Sequence, residues 1–268
     1  MAIMDAASPL TLLAPDEPEP VTVIRPGGRS AFFLTCDHAG KRIPRALGDL
    51  GLPDAELDRH IAWDIGARAM SELLSARLDA TLVAQTYSRL VIDCNRPLHV
   101  AASIPELSEE TVIPGNRDRA PAEIKARADE IFAPYHARTA SELDARATRG
   151  QETILVAMHS FTDRYKGVDR PWHVGVLYGR DKRFAALLID LLRADEDLVV
   201  GDNQPYWVDD QTDYGVPVYG EGRGLAHALI EVRQDLIADA AGQRAWAERL
   251  AAALTTALTA AQARWRAG

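Results

Sequence analysis

The clearest buried strand in this sequence is Thr153-Ile154-Leu155-Val156-Ala157-Met158, and His159-Ser160 follows it at once. A nearly continuous apolar run of this length is typical of a strand that is covered on both faces of a parallel sheet. The polar pair marks the point where that strand leaves the core. The stretch therefore predicts a central strand that carries a histidine at its carboxyl end.

Strands and helices alternate on both sides of this strand. Ala31-Phe32-Phe33-Leu34-Thr35 is a second apolar run, and it stops at Cys36-Asp37-His38-Ala39-Gly40. The alternation predicts an α/β fold, a single domain with a mostly parallel or mixed central sheet and helices on both faces. Further predicted strands span 81–85, 172–178, 198–200 and 225–233, with 90–92 as a candidate, and predicted helices span 54–78, 121–149 with a break near Pro134, 182–193 and 240–266.

The amino-terminal segment and two long loops complete the predicted organisation. Residues 1–28 are rich in proline and glycine and predict an irregular lead-in, which leaves 29–268 as one α/β domain. Residues 101–119 and 202–224 lack a clear periodicity and predict two long loops. Loops of that length inside a compact domain are usually functional or mobile.

The composition argues against several classes of protein. A formal net charge of −9 over 268 residues is unlike a nucleic-acid binder, which needs clustered lysine and arginine. No apolar run reaches the roughly 18 residues that a membrane helix needs. Residues 1–20 contain four acidic and no basic residues, which is unlike a signal peptide and predicts a cytoplasmic protein. Two cysteines are too few for a disulfide framework.

Polar residues at the ends of the predicted strands indicate where chemistry can occur. Sites in open parallel sheets form beyond the carboxyl ends of the strands, and three strands place His38, His159 and Glu231 there. Two imidazoles and a carboxylate suit a catalytic zinc site, which leaves one position open for water. A histidine at a strand end is more often structural, so the other histidines stay as alternatives: His60, His99, His136, His173 and His227.

Asp64 has two interpretations. It falls on the apolar stripe of the predicted helix 54–78, where a carboxylate is costly unless it is paired or binds a metal. Arg68 and His60 are each four residues away and would make an intrahelical pair. Spacing alone does not decide between a metal ligand and such a pair.

Two clusters of charge are similarly open. Arg89 and Arg96 flank Asp93, and arginine binds a carboxylate through two parallel hydrogen bonds. The two arginines therefore suit an acidic substrate, or one of them pairs with Asp93 as scaffolding. Glu231 and Arg233 lie two residues apart on one face of a strand, which suits a base beside a cation or a salt bridge.

Several segments together resemble the N-formylglutamate amidohydrolase family. The resemblance covers roughly residues 30–240 in consistent order, and it implies a fold similar to that of zinc-dependent exopeptidases, in the phosphorylase/hydrolase-like class. Two of the segments resemble a branch distinct from the enzymes of histidine degradation. The main segments are Cys36-Asp37-His38-Ala39-Gly40, Ser88-Arg89 with Asn95-Arg96-Pro97, Met158-His159-Ser160 and Ile230-Glu231-Val232-Arg233-Gln234-Asp235-Leu236-Ile237, and the branch segments are Asp202-Asn203-Gln204-Pro205-Tyr206 and Asp213-Tyr214-Gly215.

The resemblance implies a reaction and a set of roles. The reaction is hydrolysis of the amide bond of an N-formyl or N-acyl amino acid such as N-formylglutamate, with metal-bound water as the nucleophile. His38, His159 and Asp64 would hold zinc or another divalent metal. The remaining roles fall to Glu231 as the general base with Arg233 beside it, and to Arg89, Asn95, Arg96 and Ser160 as binders of a small substrate that bears a carboxylate.

One departure from the related enzymes concerns the third metal ligand. Zinc exopeptidases often use a His-x-x-Glu pair, but Lys41 occupies that position after His38. The carboxylate ligand must then come from elsewhere in the chain. Asp64 and Asp37 are the two candidates.

Two other functions stay open at this point. Cys36 ends a predicted strand and would be the nucleophile of a cysteine hydrolase if a histidine activated it. A non-catalytic carboxylate-binding protein on the same fold is the other alternative. The sequence defines neither the true substrate nor the oligomeric state, and no membrane or nucleic-acid partner is predicted.

Overall fold

The computed structural model describes residues 10–267, and a seven-stranded sheet forms its centre. Two short hairpins lie outside that sheet. The strands are β1 Val21–Ile24, β2 Phe32–Cys36, β3 Thr81–Gln85, β4 Leu107–Ser108, β5 Thr111–Val112, β6 Ile154–Phe161, β7 Arg164–Tyr165, β8 Val168–Asp169, β9 Val174–Leu177, β10 Val200–Asp202 and β11 Ala226–Arg233.

The central sheet is mixed, and its middle is parallel. Its strand order is β1-β3-β2-β6-β11-β9-β10. The four middle strands β3, β2, β6 and β11 are parallel, whereas β1 pairs with β3 and β9 pairs with β11 in the antiparallel sense. The carboxyl ends of the parallel strands therefore meet at one edge of the sheet, where ligand sites form in such folds.

Helices cover both faces of the sheet, as predicted. One face of the sheet is covered by α2, α5 and α6, and the opposite face is covered by α4 and the segments around it. Within residues 10–267, no helix combines the length and the hydrophobicity needed to cross a lipid bilayer. The helices are α1 Asp54–Leu57, α2 Ala67–Leu78, α3 Pro121–Arg127, α4 Ala133–Thr148, α5 Arg183–Arg193 and α6 Ala240–Ala267.

The pleat of β6 separates the core from the site. Val156 and Met158 belong to the apolar cluster beneath α2, α5 and α6, whereas Leu155 belongs to the cluster on the opposite face. Because side chains alternate along a strand, His159 points away from the α2, α5 and α6 layer. The predicted single α/β domain with a mixed central sheet is confirmed.

Two local predictions are wrong. The lead-in over 1–28 is not irregular throughout, because Val21–Ile24 forms β1 and pairs with β3 from Val21↔Gln85 to Ile24↔Leu82. Its alternating valine, threonine and isoleucine side chains suit an edge strand. Residues 1–9 of that lead-in lie outside the described residues. The candidate strand over 90–92 is a buried turn, in which Val91 N donates to Ser88 O.

The predicted helix over 54–78 is interrupted, and Asp64 is not helical. Helix α1 ends at Leu57, and α2 begins only at Ala67. Gly66 lies between them with a φ of 77°, and a Cβ there would stand 2.2 Å from the backbone oxygen of Ile237. Asp64 therefore occupies a turn, where its backbone N donates to His38 O. The break predicted near Pro134 is confirmed, since a π-helical turn over Ala128–Phe132 separates α3 from α4.

The buried side-chain amide of Asn116 anchors the loop over 101–119 to the rest of the domain. Asn116 Nδ2 donates to Leu90 O and Pro105 O, and Asn116 Oδ1 accepts from the buried guanidinium of Arg127. This loop carries the β4–β5 hairpin, which reaches the rim of the site described below. Asn116 thus connects the hairpin to the segment that follows β3.

Asn116→Ala is expected to lower the free energy of unfolding by about 1–3 kcal/mol, because it leaves the carbonyl oxygens of Leu90 and Pro105 without their amide donor and removes one acceptor of the buried Arg127 guanidinium. Urea denaturation measures this as a lower transition midpoint at an unchanged slope. A midpoint equal to that of the wild type would show that other groups replace the amide.

Candidate metal centre and active site

A cavity of about 270 Å³ opens at the carboxyl ends of the central strands. This volume is slightly below the about 300–1,000 Å³ that is typical of small-molecule sites. It gathers His38, Asp64, His159 and Glu231, which come from four different parts of the chain. The loops over 101–119 and 202–224 both contribute to its lining.

His159 and Glu231 are neighbours across the parallel pair β6–β11. Their Cα atoms are partners in the register of the two strands, so their side chains lie side by side on one face. His159 is 2% exposed and Glu231 is 6% exposed. The sheet therefore fixes an imidazole next to a carboxyl group at the floor of the cavity.

His38 follows β2 and is held by the segment after β3. Its Nε2 donates to Asp93 Oδ1 at 2.7 Å, and its Nδ1 lies 3.5 Å from Asp64 Oδ2. The His38 and His159 rings lie edge to face, with 4.9 Å between their centroids. Asp93 was predicted only as an arginine partner, and its contact with His38 was missed.

His159 is oriented by the carboxylate of Asp64, and Asp37 lies close to its other ring nitrogen. Its Nδ1 lies at 2.9 Å from Asp64 Oδ2, and its Nε2 is 3.2 Å from Asp37 Oδ1. A carboxylate on one imidazole nitrogen is the usual support of a metal-binding histidine, because it orients the ring and leaves the other nitrogen as a donor to the metal.

The residues around these histidines fit a divalent metal. One donor atom from each of Asp37, His38 and His159 lies within 4.8 Å of the other two. Asp37 Oδ1, His38 Nδ1 and His159 Nε2 are buried and have no hydrogen-bond partner among the described residues. Unpaired buried donors and acceptors are costly, and two imidazoles with one carboxylate match the ligands of catalytic zinc.

The geometry favours Asp37 over Asp64 as the third ligand. Asp64 Oδ2 accepts from both the His159 ring and the backbone N of Ser160, and Asp64 is not part of the compact group of three. Asp64 therefore lies where a carboxylate that orients His159 would lie, and its role as a metal ligand stays a prediction.

Charges around the site favour a cation at its centre. Although burial lowers it, the carboxylates of Asp37 and Asp64 raise the pKa of His159 to about 10. The contacts with His38 and His159 outweigh burial and hold the pKa of Asp64 well below its usual range. Asp93 is likewise ionised, since Arg89 and His38 lower its pKa against burial.

Glu231 has the properties of a general base. Burial raises the pKa of its carboxyl group to about 7, with the His159 imidazolium opposing the shift. Its Oε2 is buried and has no hydrogen-bond partner in the described part of the chain. A carboxyl group poised near neutrality inside a cleft can both accept and return a proton.

The two arginines predicted to bind substrate differ in whether a carboxylate of the protein pairs with them. Arg89 pairs with Asp93 at 2.8 Å and lies 3.6 Å from Asp64, so its charge is largely matched. Arg96 donates to the backbone oxygens of Asn95 and Thr212. Both guanidinium groups line the cavity, and Arg96 is the one without a carboxylate partner among residues 10–267.

Two predicted substrate-binding residues have their side-chain polar groups bonded to other parts of the protein. Asn95 Oδ1 accepts from the backbone N of Tyr214 and Gly215, and its Nδ2 donates to Asp213. Ser160 Oγ donates to Ile65 O. Asn95 and Ser160 line the cavity, yet these contacts make them braces for the 212–215 loop and the Asp64 turn.

Arg233 does not line the cavity. Its guanidinium pairs with Asp235 at 2.7 Å and donates to backbone oxygens of Arg170 and Pro171. The predicted catalytic role of Arg233 therefore has no geometric support. It shares a strand face with Glu231, but it stands at the very end of β11 and turns into its own ion pair.

Several lining residues were missed because they come from loops and short hairpins. Asp213 is buried, faces the cavity, and has its carboxyl pKa raised by burial. Glu109 from the β4–β5 turn and Tyr165, Tyr206 and Trp207 complete the rim. Asp213 and Tyr206 lie within the two segments that resemble a branch of the family. The other lining residues carry no periodic signal in the sequence.

The cysteine alternative does not agree with the structure. Cys36 is fully buried among the apolar residues beneath α2 and does not line the cavity. Burial, together with the Asp64 and Asp37 carboxylates, raises the pKa of its thiol. A thiol that stays protonated and has no access to substrate is a poor nucleophile.

Of the alternative histidines, only His60 lines the cavity. Its Nε2 is 3.5 Å from Glu109 Oε2, at the rim. His136 is buried in an aromatic cluster and bonds to the Tyr219 hydroxyl. His173 and His227 make contacts with backbone atoms, and His99 is exposed.

Two solved structures share the fold of this chain. Among curated proteins, no sequence matches the chain. A gene product of Agrobacterium tumefaciens, known from its crystal structure, is 35% identical, with a TM-score of 0.91 over 94% of this chain and 99% of that one. The crystal structure of N-formylglutamate amidohydrolase from Ralstonia eutropha shares the fold, with 19% identity and a TM-score of 0.63 over 90% of this chain and 97% of that one.

The family assignment comes from the sequence as a whole. The sequence pattern of the N-formylglutamate amidohydrolase family matches residues 30–238, a range that includes every residue of the candidate site. The chain therefore belongs to the N-formylglutamate amidohydrolase family and is a hydrolase that acts on carbon–nitrogen bonds other than peptide bonds.

Proposed function

We propose that this protein is a metal-dependent amidohydrolase that cleaves the amide of a small N-formyl or N-acyl amino acid, with Glu231 as general base. The observation that carries the proposal is a set of four buried atoms with no hydrogen-bond partner among residues 10–267. They are Glu231 Oε2, Asp37 Oδ1, His38 Nδ1 and His159 Nε2. The family assignment supplies the class of bond.

Asp37, His38 and His159 would hold the metal, with Asp93 and Asp64 orienting the two imidazoles. A bound divalent metal would act as a Lewis acid on the substrate carbonyl and lower the pKa of water to about 7. The donor set favours zinc, although manganese, iron and cobalt also accept it.

Glu231 would move the proton of the reaction. At neutral pH a carboxyl group with a pKa of about 7 is partly ionised, so Glu231 takes the proton from the attacking water. The same group then donates that proton to the leaving amine, which must be protonated to depart. Its neighbour in the register is His159, which keeps Glu231 next to the proposed metal position.

Arg96 and Arg89 would bind the substrate carboxylate. Both line the cavity, and arginine forms paired, charge-assisted hydrogen bonds with a carboxylate. Asp93 and Asp64 keep Arg89 in place, while the loop carbonyl of Thr212 keeps Arg96 in place. The proposed partner is thus a small carboxylate-bearing amide, and a cytoplasmic location stays a prediction from the sequence.

Metal content measured together with amide hydrolysis tests the proposal. Purified protein is expected to contain a stoichiometric divalent metal and to release formate from N-formyl amino acids. A chelator should abolish formate release, and added zinc should restore it. Protein that binds N-formyl amino acids equally well with and without chelator, and releases no formate, would instead be a carboxylate-binding protein.

A further inference from the structure

We infer that Asp213 accepts a hydrogen bond from the amide N–H of the substrate, and so makes the site selective for N-acyl amino acids over the matching O-acyl hydroxy acids. The inference rests on the proposed function and deepens it, because it assigns the group that recognises the nitrogen of the scissile bond. Three features carry it: the contacts that fix Asp213 next to Arg96, the path of its loop toward the proposed metal ligands, and the roles of the other carboxyl groups of the cavity.

Two contacts between neighbouring residues fix the place of Asp213. Asn95 Nδ2 donates to Asp213 Oδ1 at 2.9 Å. One residue along in each segment, the Arg96 guanidinium donates to the backbone oxygen of Thr212. The pairs 95–96 and 212–213 are thus joined residue by residue, and the Arg96 and Asp213 side chains both line the cavity.

The same loop reaches the proposed metal ligands. Asn95 Oδ1 accepts from the backbone N of Tyr214 and of Gly215, each at 3.0 Å. A Cβ on Gly215 would stand 3.7 Å from Asp37 Oδ2, so the backbone passes close to Asp37 two residues after Asp213. Asp213 therefore lies between the arginine that would bind the substrate carboxylate and a carboxylate that would bind the metal.

An N-acyl amino acid has its groups in the matching order. Its carbonyl group would lie at the metal and its α-carboxylate at Arg96, and the amide N–H lies between them along the molecule. An N–H that enters a cavity gives up its hydrogen bond to water and needs an acceptor there. The carboxyl group of Asp213 supplies an acceptor at this position.

The oxygens of Asp213 have room for another donor. Oδ1 accepts from Asn95, and Oδ2 accepts from Thr212 Oγ1 at 3.1 Å, whereas each carboxylate oxygen has two lone pairs. Burial raises the pKa of this carboxyl group, with Arg96 opposing the shift. A carboxyl group keeps an acceptor oxygen in both protonation states, so the contact does not depend on the charge of Asp213.

The other carboxyl groups that line the cavity have different partners or tasks. Asp64 accepts from the ring of His159. Glu109 pairs with an arginine at the rim, and Glu231 would move the proton of the attacking water. Among the lining residues within 10–267, Asp213 is the carboxyl group left for the substrate N–H.

Two competitive inhibitors that differ only at this position test the inference. N-acetyl-L-glutamate carries the amide N–H, and in O-acetyl-2-hydroxyglutarate of the same configuration an ester oxygen replaces it. Inhibition of formate release from an N-formyl amino acid gives Ki for each, since neither acetyl compound releases formate. We expect the ester to bind the metal-loaded enzyme about tenfold or more weakly, because an oxygen lone pair would face the Asp213 acceptor.

A variant and its control assign the preference to Asp213. Asp213→Ala should bring the two Ki values close together. Asp210→Ala is the matched control and should keep the wild-type ratio, since Asp210 belongs to the same loop but pairs with Arg180 and does not line the cavity. A ratio near one in the wild type overturns the inference whether or not the variant folds, and so does an unchanged ratio in Asp213→Ala.

A binding measurement separates this inference from the proposed function. Thermal shift of the protein by the amide and by the ester reports binding without turnover. Formate release with equal inhibition by the two compounds overturns the inference and leaves the amidohydrolase proposal intact. Absence of formate release with a larger shift by the amide overturns the proposed function and supports the contact with Asp213. Absence of both release and shift overturns both.

Discussion

Replacing Glu231 by glutamine is expected to lower kcat by about 10²–10⁴-fold, the usual contribution of a general acid–base group. Glutamine preserves the size of the side chain but cannot accept the proton of the attacking water. The measurement is steady-state formate release by the metal-loaded protein at saturating substrate. Metal content should be unchanged, because Glu231 is not in the group formed by Asp37, His38 and His159.

Two observations make the Glu231 result interpretable. Glu109→Gln is the matched control, since this carboxylate lines the same cavity but pairs with Arg59, and we expect its kcat to stay near that of the wild type. Glu231→Gln should also unfold at no lower temperature, because an unpartnered buried carboxyl group costs stability. Near-normal turnover of Glu231→Gln with metal bound would show that another group is the base.

Replacing His159 by alanine is expected to abolish stoichiometric metal binding and, with it, turnover. His159 provides an unpartnered Nε2 at 3.2 Å from Asp37 Oδ1, and alanine removes that donor. Removing a residue that only hydrogen-bonds to a metal ligand typically lowers metal affinity by about 10–100-fold. The loss of affinity in His159→Ala should be larger than that. Metal analysis after dialysis measures the loss, and His99→Ala serves as the control because His99 is exposed.

The same measurement decides the third ligand. Asp37→Asn should weaken metal binding as a lost ligand does, whereas Asp64→Asn should weaken it by about 10–100-fold, as a lost orienting partner does. The reason is that Asp64 contacts His159 through Nδ1, on the opposite side of the ring from Asp37. The reverse order of the two variants would make Asp64 the ligand and Asp37 its support.

The sequence predicted the layered architecture because hydrophobic periodicity reports burial directly. The apolar run before His159 identified β6, and alternation of strands and helices identified the α/β class. The edge strand Val21–Ile24 was missed because four residues in a proline- and glycine-rich segment carry little periodic signal. Its identity as a strand comes from pairing with Thr81–Gln85, which is a long-range contact.

The error at Asp64 has a specific cause. The spacing of Leu57, Ile61 and Ile65 is helical, but Gly66 adopts a positive φ against the backbone of Ile237. That close approach involves residues about 170 positions apart, so no local pattern reports it. Once the helix is broken there, the Asp64 carboxylate turns toward His38 and His159.

For the candidate site too, some features follow from the sequence and others only from the tertiary structure. By itself, the sequence placed His38, His159 and Glu231 near the carboxyl ends of core strands, and it indicated the family through ordered motifs. Only the tertiary structure decided that Glu231 is in register with His159 and that Asp37 completes the group of possible ligands. Strand order and loop closure set these distances, and both depend on contacts between distant parts of the chain. Local periodicity determines which face a side chain takes, but neighbours across the sheet are chosen by the packing of the whole domain.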